Sequence, residues 1–140
     1  KAHGMNLGGR YVFPFGSVKF VPALHSSGYE IDGVMTYMGE ASGIILEAED
    51  KKIYHAGDTA LFSDMRLFAK DQSIDVAFLP IGDNYTMGPE DALEAVSYLN
   101  PEITIPIHYN TFPVIQQNPA IFVEQVVGGK VLNPGETILV

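Results

Sequence analysis

Cysteine is absent from this 140-residue chain, which excludes disulfides, thiolate metal sites and thiol catalysis together. Histidine and carboxylate remain as the strong ligand types. Cations are scarce: eight Lys and Arg stand against 17 Asp and Glu, a formal charge of −9, and the eight are scattered. Such a chain repels a phosphodiester backbone, so extended nucleic acid is a poor partner and nucleic-acid processing the weakest functional reading. Long hydrophobic runs are missing as well. Asp, Glu, Lys, Pro or Gly interrupts every apolar stretch well short of the roughly 20 residues that span a bilayer, so no membrane association is expected and a soluble, cytoplasmic chain is favoured. What is present, 46% hydrophobic and 18% charged residues, suffices for one packed core.

Apolar runs at 10–15 and 18–24, separated by Gly16-Ser17, read as a β-hairpin. Residues 26–40, rich in Gly, Ser and isolated polar groups, read as a long functional loop. A second hairpin is expected from 42–48 and 52–56, joined by Glu49-Asp50-Lys51 and ending at Gly57-Asp58. Beyond it, Leu61, Met65 and Phe68 recur at helical spacing from Thr59 to about Lys70. The run DVAFLP (75–80) is a strand buried on both faces. Pro89, followed by Glu90 and Asp91, opens a helix that closes at Asn100-Pro101. Another buried strand, 103–107, ends at His108. Asn118-Pro119 starts a helix with Phe122, Val123 and Val126 on its apolar face, stopped by Gly128-Gly129. Two terminal strands, 130–132 and 137–140, flank a Pro134-Gly135 turn. Hairpins followed by strand-helix units predict an α/β layered architecture whose helices cover one sheet face, leaving the other face apolar and uncovered.

Three of the four histidines and one aspartate sit at strand ends, where side chains from separate strands converge above a sheet edge. His25 ends a strand in PALHSSG, Asp58 follows one in IYHAGDT, and His108 ends one in IPIHYNTFP. Each has a bland alternative: His25 as a strand-end hydrogen-bonding group, Asp58 as a helix N-cap, His108 as a satisfied core imidazole. Jointly they favour a metal site, since Gly57 permits the close backbone approach that a bridging carboxylate uses. His55, three residues before Asp58, is a candidate for orienting a metal ligand from behind it, with a structural role as its alternative. His3, near the chain start, reads as solvated.

The stretches MNLGG (5–9), PALHSSG (22–28), IYHAGDT (53–59), LPIGDNYTMGPEDA (79–92) and IPIHYNTFP (105–113), in this order, resemble the metallo-β-lactamase superfamily. The similarity is to its branch of uncharacterised metal-dependent hydrolases related to the ascorbate-6-phosphate lactonases. The resemblance implies an αββα sandwich with two divalent ions, zinc or manganese, at the edge of two sheets. Carried onto this chain, His25 completes the first metal site, Asp58 bridges both, and His108 completes the second. It implies a metal-dependent hydrolase in which a metal-activated hydroxide, held by Asp58 as the catalytic carboxylate, attacks an ester, lactone, amide or phosphoester. Asp83, Asn84, Tyr85 and Thr86, with Tyr109 on the loop after His108, are expected in the small-molecule substrate cleft.

One family feature is missing. The superfamily's His-x-His-x-Asp-His cluster supplies four ligands, and no two histidines here are separated by a single residue. The chain therefore reads as residues 1–140 of a C-terminal half, whose partner is the absent N-terminal segment, in the same chain or a separate one. Alone it is expected to bind metal weakly and to be inactive, because catalytic zinc uses three protein ligands and a water. A non-catalytic binding or assembly module that retains the fold is the alternative, and a homo-oligomer is left open.

Overall fold

The computed structural model describes residues 2–140. Its main sheet has six strands in the order β1-β2-β5-β6-β7-β8, with β1 at Arg10–Phe13, β2 at Gly16–Pro22, β5 at Ser42–Ala48, β6 at Lys51–His55, β7 at Val76–Pro80 and β8 at Ile103–Ile107. The strands β1 to β6 of this sheet pair antiparallel, whereas β6-β7-β8 are parallel. A parallel pair needs a long crossover, and each crossover here carries a helix. The first is a 3-10 segment, Ser63–Ala69; the second is α1, Pro89–Leu99; the short α2, Pro119–Val123, follows β8.

These helices cover one face. Val21, Ile45, Tyr54, Ala56, Ala77 and Leu79 from the sheet pack with Met65, Phe68, Ala95 and Leu99 from the helical layer. Full burial of an aliphatic or aromatic side chain of this size contributes about 1.5–3 kcal/mol, so this layer dominates the stability. A smaller cluster joins Ile81 and Ala92 to Phe122 and Val126. The ammonium of buried Lys52 closes the end of the 3-10 segment by donating to the carbonyls of Phe68 (2.6 Å) and Gln72 (3.2 Å), which accounts for a lysine inside this layer. On the opposite face, cross-strand neighbours Val18, Leu46 and Ile53 and the row Phe20, Ile44 and Phe78 remain only partly buried. An apolar face without a cover was expected from the element order, and it is present.

Four expectations need correction. The first hairpin turns at Pro14-Phe15, and Gly16 is already paired with Phe13; a Cβ there would lie 2.3 Å from the Glu47 carbonyl, so this glycine serves a close strand approach. The loop at 26–40 contains a separate two-stranded sheet, β3 (Gly28–Ile31) with β4 (Val34–Tyr37). Its Asp32-Gly33 connection, φ 51° and 78°, is the two-residue turn that suits a hairpin's twist. The helix expected from Thr59 forms only over Ser63–Ala69 and as a 3-10 segment. Residues just before it spend their backbone elsewhere: Ala60 N–H donates to Leu24 O (3.0 Å) and Met87 N–H to Thr59 O (2.9 Å). The terminal strands at 130–132 and 137–140 do not form among the described residues; a single bridge, Thr104 to Gly129, precedes a turn in which Glu136 N–H donates to Asn133 O. Leu139 is almost fully exposed, so the apolar character of this tail finds no partner strand to pair with.

Candidate metal centre

Strand direction decides where the chemistry gathers. Strands β2 and β6 are each antiparallel to β5, and β6, β7 and β8 are parallel, so these four strands run the same way. Their carboxyl ends share one edge, the place where open α/β sheets build ligand sites. His25, Asp58, the loop 81–88 and His108 all emerge there.

Each side chain is presented by local backbone chemistry. The Nδ1 of exposed His25 lies 2.8 Å from the Ser26 carbonyl, which can only accept. The proton therefore sits on Nδ1, and Nε2 keeps a lone pair for a ligand. Asp58 follows Gly57, whose φ of +66° and whose approach to the Ser42 carbonyl (2.8 Å from a Cβ placed there) no larger residue accommodates. Gly57 N–H donates to His55 Nδ1 at 3.1 Å, which ties the turn to the end of β6. The Asp58 carboxylate is 46% exposed and faces His108 Nε2 across 3.5 Å. His108 itself adopts φ 54°, a conformation that costs a non-glycine residue energy and that persists where the surroundings enforce it. Its Nδ1 is buried with no hydrogen-bond partner among the described residues, so the ring's free chemistry lies on Nε2.

Two residues that sequence reasoning passed over hold this geometry. Thr59 is fully buried; its hydroxyl accepts from Leu24 N–H (2.9 Å) and donates to Ala60 O (2.8 Å). With its carbonyl bound by Met87 N–H, Thr59 ties together the loops that carry His25, Asp58 and Asn84. The Gly-Asp-Thr triplet is the available signal in the sequence, with Thr59 beside the glycine and aspartate already singled out. Gly82 lets the ends of β7 and β8 touch: a Cβ there would lie 2.3 Å from the His108 carbonyl and 3.0 Å from its Nδ1.

An open cleft of about 400 Å³ results, lined by Leu24, His25, Ser26, Asp58, Asn84, Tyr85 and His108. It unites the three expected ligands with two of the expected cleft residues. The others lie elsewhere. Asp83 and Asn84 have φ of 62° and 43°, and this twist turns Asp83 toward a neighbouring groove shared with Gly88 and Gln117. The Thr86 hydroxyl donates to the carbonyl of Met87. Tyr109 packs against the cluster around Phe122, where burial raises its hydroxyl pKa. His55 stacks on Phe78 (centroids 5.5 Å apart) outside the cleft; burial lowers its pKa, with the Asp58 carboxylate acting in the opposite direction. His3 is exposed but lies against Tyr11, with ring centroids 3.9 Å apart and planes tilted by 36°.

Among the described residues, no three His, Asp or Glu side chains approach closely enough to hold one ion by themselves. Two imidazoles and a carboxylate nonetheless make a donor set that suits zinc or manganese, with the carboxylate between the two rings' loops. No helix of the described residues is long and apolar enough to cross a membrane.

A mixed sheet covered by helices on one face, with His, Asp and His at its carboxyl edge, is the architecture of a metallo-β-lactamase-type protein. A family model described as "Beta-lactamase superfamily domain" matches residues 1–109, and the chain belongs to that superfamily. It is 98% identical over 140 residues to a "UPF0173 metal-dependent hydrolase" of Enterococcus faecalis (strain ATCC 700802 / V583), covering 100% of this chain and 62% of that protein. A UPF0173 metal-dependent hydrolase of Bacillus cereus (strain AH187) is 54% identical over 142 residues, covering 99% of this chain and 63% of that one. Among solved structures, Igni18, a metallo hydrolase from the hyperthermophilic archaeon Ignicoccus hospitalis, is similar with a TM-score of 0.84 and 38% identity over 97% of this chain and 59% of its own. The chain thus spans less than two thirds of the length of the curated relatives it matches.

Proposed function

We propose that this chain is the C-terminal portion of a binuclear metal-dependent hydrolase acting on a small molecule with an ester, lactone, amide or phosphoester bond. The observation that carries the reading is the Asp58 carboxylate facing His108 Nε2 at 3.5 Å in a cleft that also contains His25. His25 and Asp58 would hold one ion and Asp58 and His108 the other, so the two imidazoles need not approach each other. Zinc or manganese bound there supplies a Lewis acid and a water made acidic enough to ionise near neutral pH.

The residues of the chain do the remaining work. Asp58 is the acceptor that can hold the attacking water in line. Asn84 and Tyr85 line the cleft with an amide and a hydroxyl that can hydrogen-bond a substrate. His55 fixes the Gly57 turn, and with it the direction of the carboxylate. Thr86, Asp83 and Tyr109 support the loops from behind.

Each ion would have only two protein ligands from this chain, fewer than the three that a catalytic zinc uses. The reading therefore includes a preceding segment that supplies the other donors and covers the half-exposed face around Phe20, Ile44 and Phe78; the greater length of the curated relatives supports it. The competing reading, a non-catalytic module, is favoured by the lack of a three-residue ligand cluster among the described residues. Chelation and metal return separate the two. The full-length protein should lose hydrolysis of activated esters when stripped and regain it with zinc or manganese, Asp58→Asn should not regain it, and residues 1–140 alone should bind zinc weakly. Submicromolar binding of two equivalents by residues 1–140, or a full-length protein that binds no metal, contradicts the proposal.

A further inference from the structure

Resting on the hydrolase reading above, we infer that Asn110 is a positioning residue for His108: its side-chain carbonyl clasps the returning loop at Gln117 and so fixes the backbone that aims the imidazole into the cleft. A histidine that ligates through one ring nitrogen is usually steered by a hydrogen bond from the other. His108 has no such tether, since its Nδ1 is buried and finds no partner among the described residues. The direction of Nε2, which meets Asp58 Oδ2 at 3.5 Å, is therefore set by the backbone that carries the ring. That backbone is left-handed twice in three residues, with φ of 54° at His108 and 61° at Asn110. Residues with a side chain adopt this conformation at a cost and keep it where their neighbours enforce it.

The entry to the turn is held by Ile81 N–H, which donates to Ile107 O (3.1 Å). Asn110 holds the exit. Its N–H donates to Ile115 O (2.9 Å), and its Oδ1 accepts from Gln117 N–H (2.8 Å). These two bonds fold the chain back and seat Ile115, fully buried, beside the contact between Gly82 and His108: a Cβ at Gly82 would lie 3.1 Å from Ile115 Cβ and 3.0 Å from His108 Nδ1. The Gln117 side chain adds a longer bond, from Nε2 to Gly82 O at 3.4 Å, which ties the same loop to the end of β7. Asparagine meets both demands of position 110, because it tolerates left-handed backbone and carries an acceptor. Aspartate meets both as well. Glycine meets only the first, so the two substitutions separate the clasp from mere backbone tolerance.

The test compares the full-length wild type with Asn110→Asp and Asn110→Gly. Loss of a group that steers a metal-bound histidine weakens metal binding about 10–100-fold. Zinc affinity, measured by competition with a chromophoric chelator, should fall by that factor in Asn110→Gly and stay at the wild-type value in Asn110→Asp. Wild-type affinity in Asn110→Gly, or an equal loss in Asn110→Asp, overturns the inference. Coupling is reciprocal, so zinc must tighten the clasp by the factor with which the clasp tightens zinc. In the wild-type protein zinc should therefore slow hydrogen exchange of the Gln117 amide about 10–100-fold, a measurement that decides the matter even where Asn110→Gly fails to fold. An unchanged exchange rate overturns the inference. If the full-length protein binds no zinc, the hydrolase reading fails, and nuclear Overhauser contacts between the His108 ring and the Gly82 α-protons still report the aim of the ring. They should persist in Asn110→Asp and weaken in Asn110→Gly; equal contacts in all three proteins overturn the inference.

Discussion

Gly82→Ala is the most informative single change, because it presses on the contact that delivers His108 to the cleft. The added methyl would lie 2.3 Å from the His108 carbonyl oxygen, 3.0 Å from its Nδ1 and 3.1 Å from the Ile115 side chain. Ordinary C···O contact is about 3.3–3.6 Å, so the end of β8 must retreat by about 1 Å. Overpacking of this kind costs roughly 1–3 kcal/mol. In a full-length protein of the relatives' size, 2 kcal/mol corresponds to a drop in Tm of about 4–8 °C. A displacement of about 1 Å at a ligand can cost on the order of 100-fold in activity, so zinc affinity and turnover should fall together. Thermal unfolding monitored by circular dichroism, with zinc titration of the same sample, reads both effects. Gly4→Ala, where an added methyl meets nothing within 4 Å, is the control. Unchanged stability with wild-type zinc affinity in Gly82→Ala would refute the claim that this contact places His108.

Thr59→Val keeps the volume but removes the acceptor for Leu24 N–H, and should cost about 1–3 kcal/mol in urea unfolding. Tyr54→Phe removes a buried hydroxyl that has no hydrogen-bond partner among the described residues, and should leave stability unchanged or raise it by a few tenths to about 1 kcal/mol. Asp75 sits where burial raises its pKa but bonds from Lys52 N–H and the Lys51 ammonium outweigh this and hold it below the usual carboxylate range. Its stabilising contribution is therefore full above the unfolded-state pKa of about 4 and is lost as pH falls through the lower folded value. The stability gap between wild type and Asp75→Asn should be constant at pH 6–8 and should narrow below about pH 4, as read by unfolding at a series of pH values. Lys52→Met strips the donors from the Phe68 and Gln72 carbonyls and should destabilise the 3-10 segment, seen as faster amide exchange over 63–72.

Much of this architecture was legible because its signals are local. The buried parallel strands at 76–80 and 103–107 announce themselves as unbroken apolar runs, and Pro89 with its acidic neighbours marks the start of α1. The strand-end positions of His25, Asp58 and His108 were enough to put them on one edge once the strands were recognised. What stayed hidden depends on distant partners. The backbone of 59–62 is held by Leu24 and Met87, so a helical period in the side chains lost to cross-loop hydrogen bonds. Gly16 looked like a turn residue because its reason, the Glu47 carbonyl, lies on another strand. The β3–β4 hairpin is weakly marked although Asp32-Gly33 is a strong turn signal, since both strands are only four residues long and β4, with Val34 on one face and Met35 and Tyr37 on the other, breaks the alternation that Tyr29, Glu30 and Ile31 begin. Asp83 and Thr86 were grouped with Asn84 and Tyr85 by sequence proximity, and the positive φ at Asp83 and Asn84 separates them.

Anomalous diffraction at the zinc edge from crystals of the full-length protein bears most directly on the proposed metal centre. Two anomalous peaks should stand about 3.5–4 Å apart, with Asp58 reaching both and with His25 and His108 each at coordination distance from a different one. Peaks remote from Asp58, or ions held entirely by residues outside this chain, would contradict the assignment.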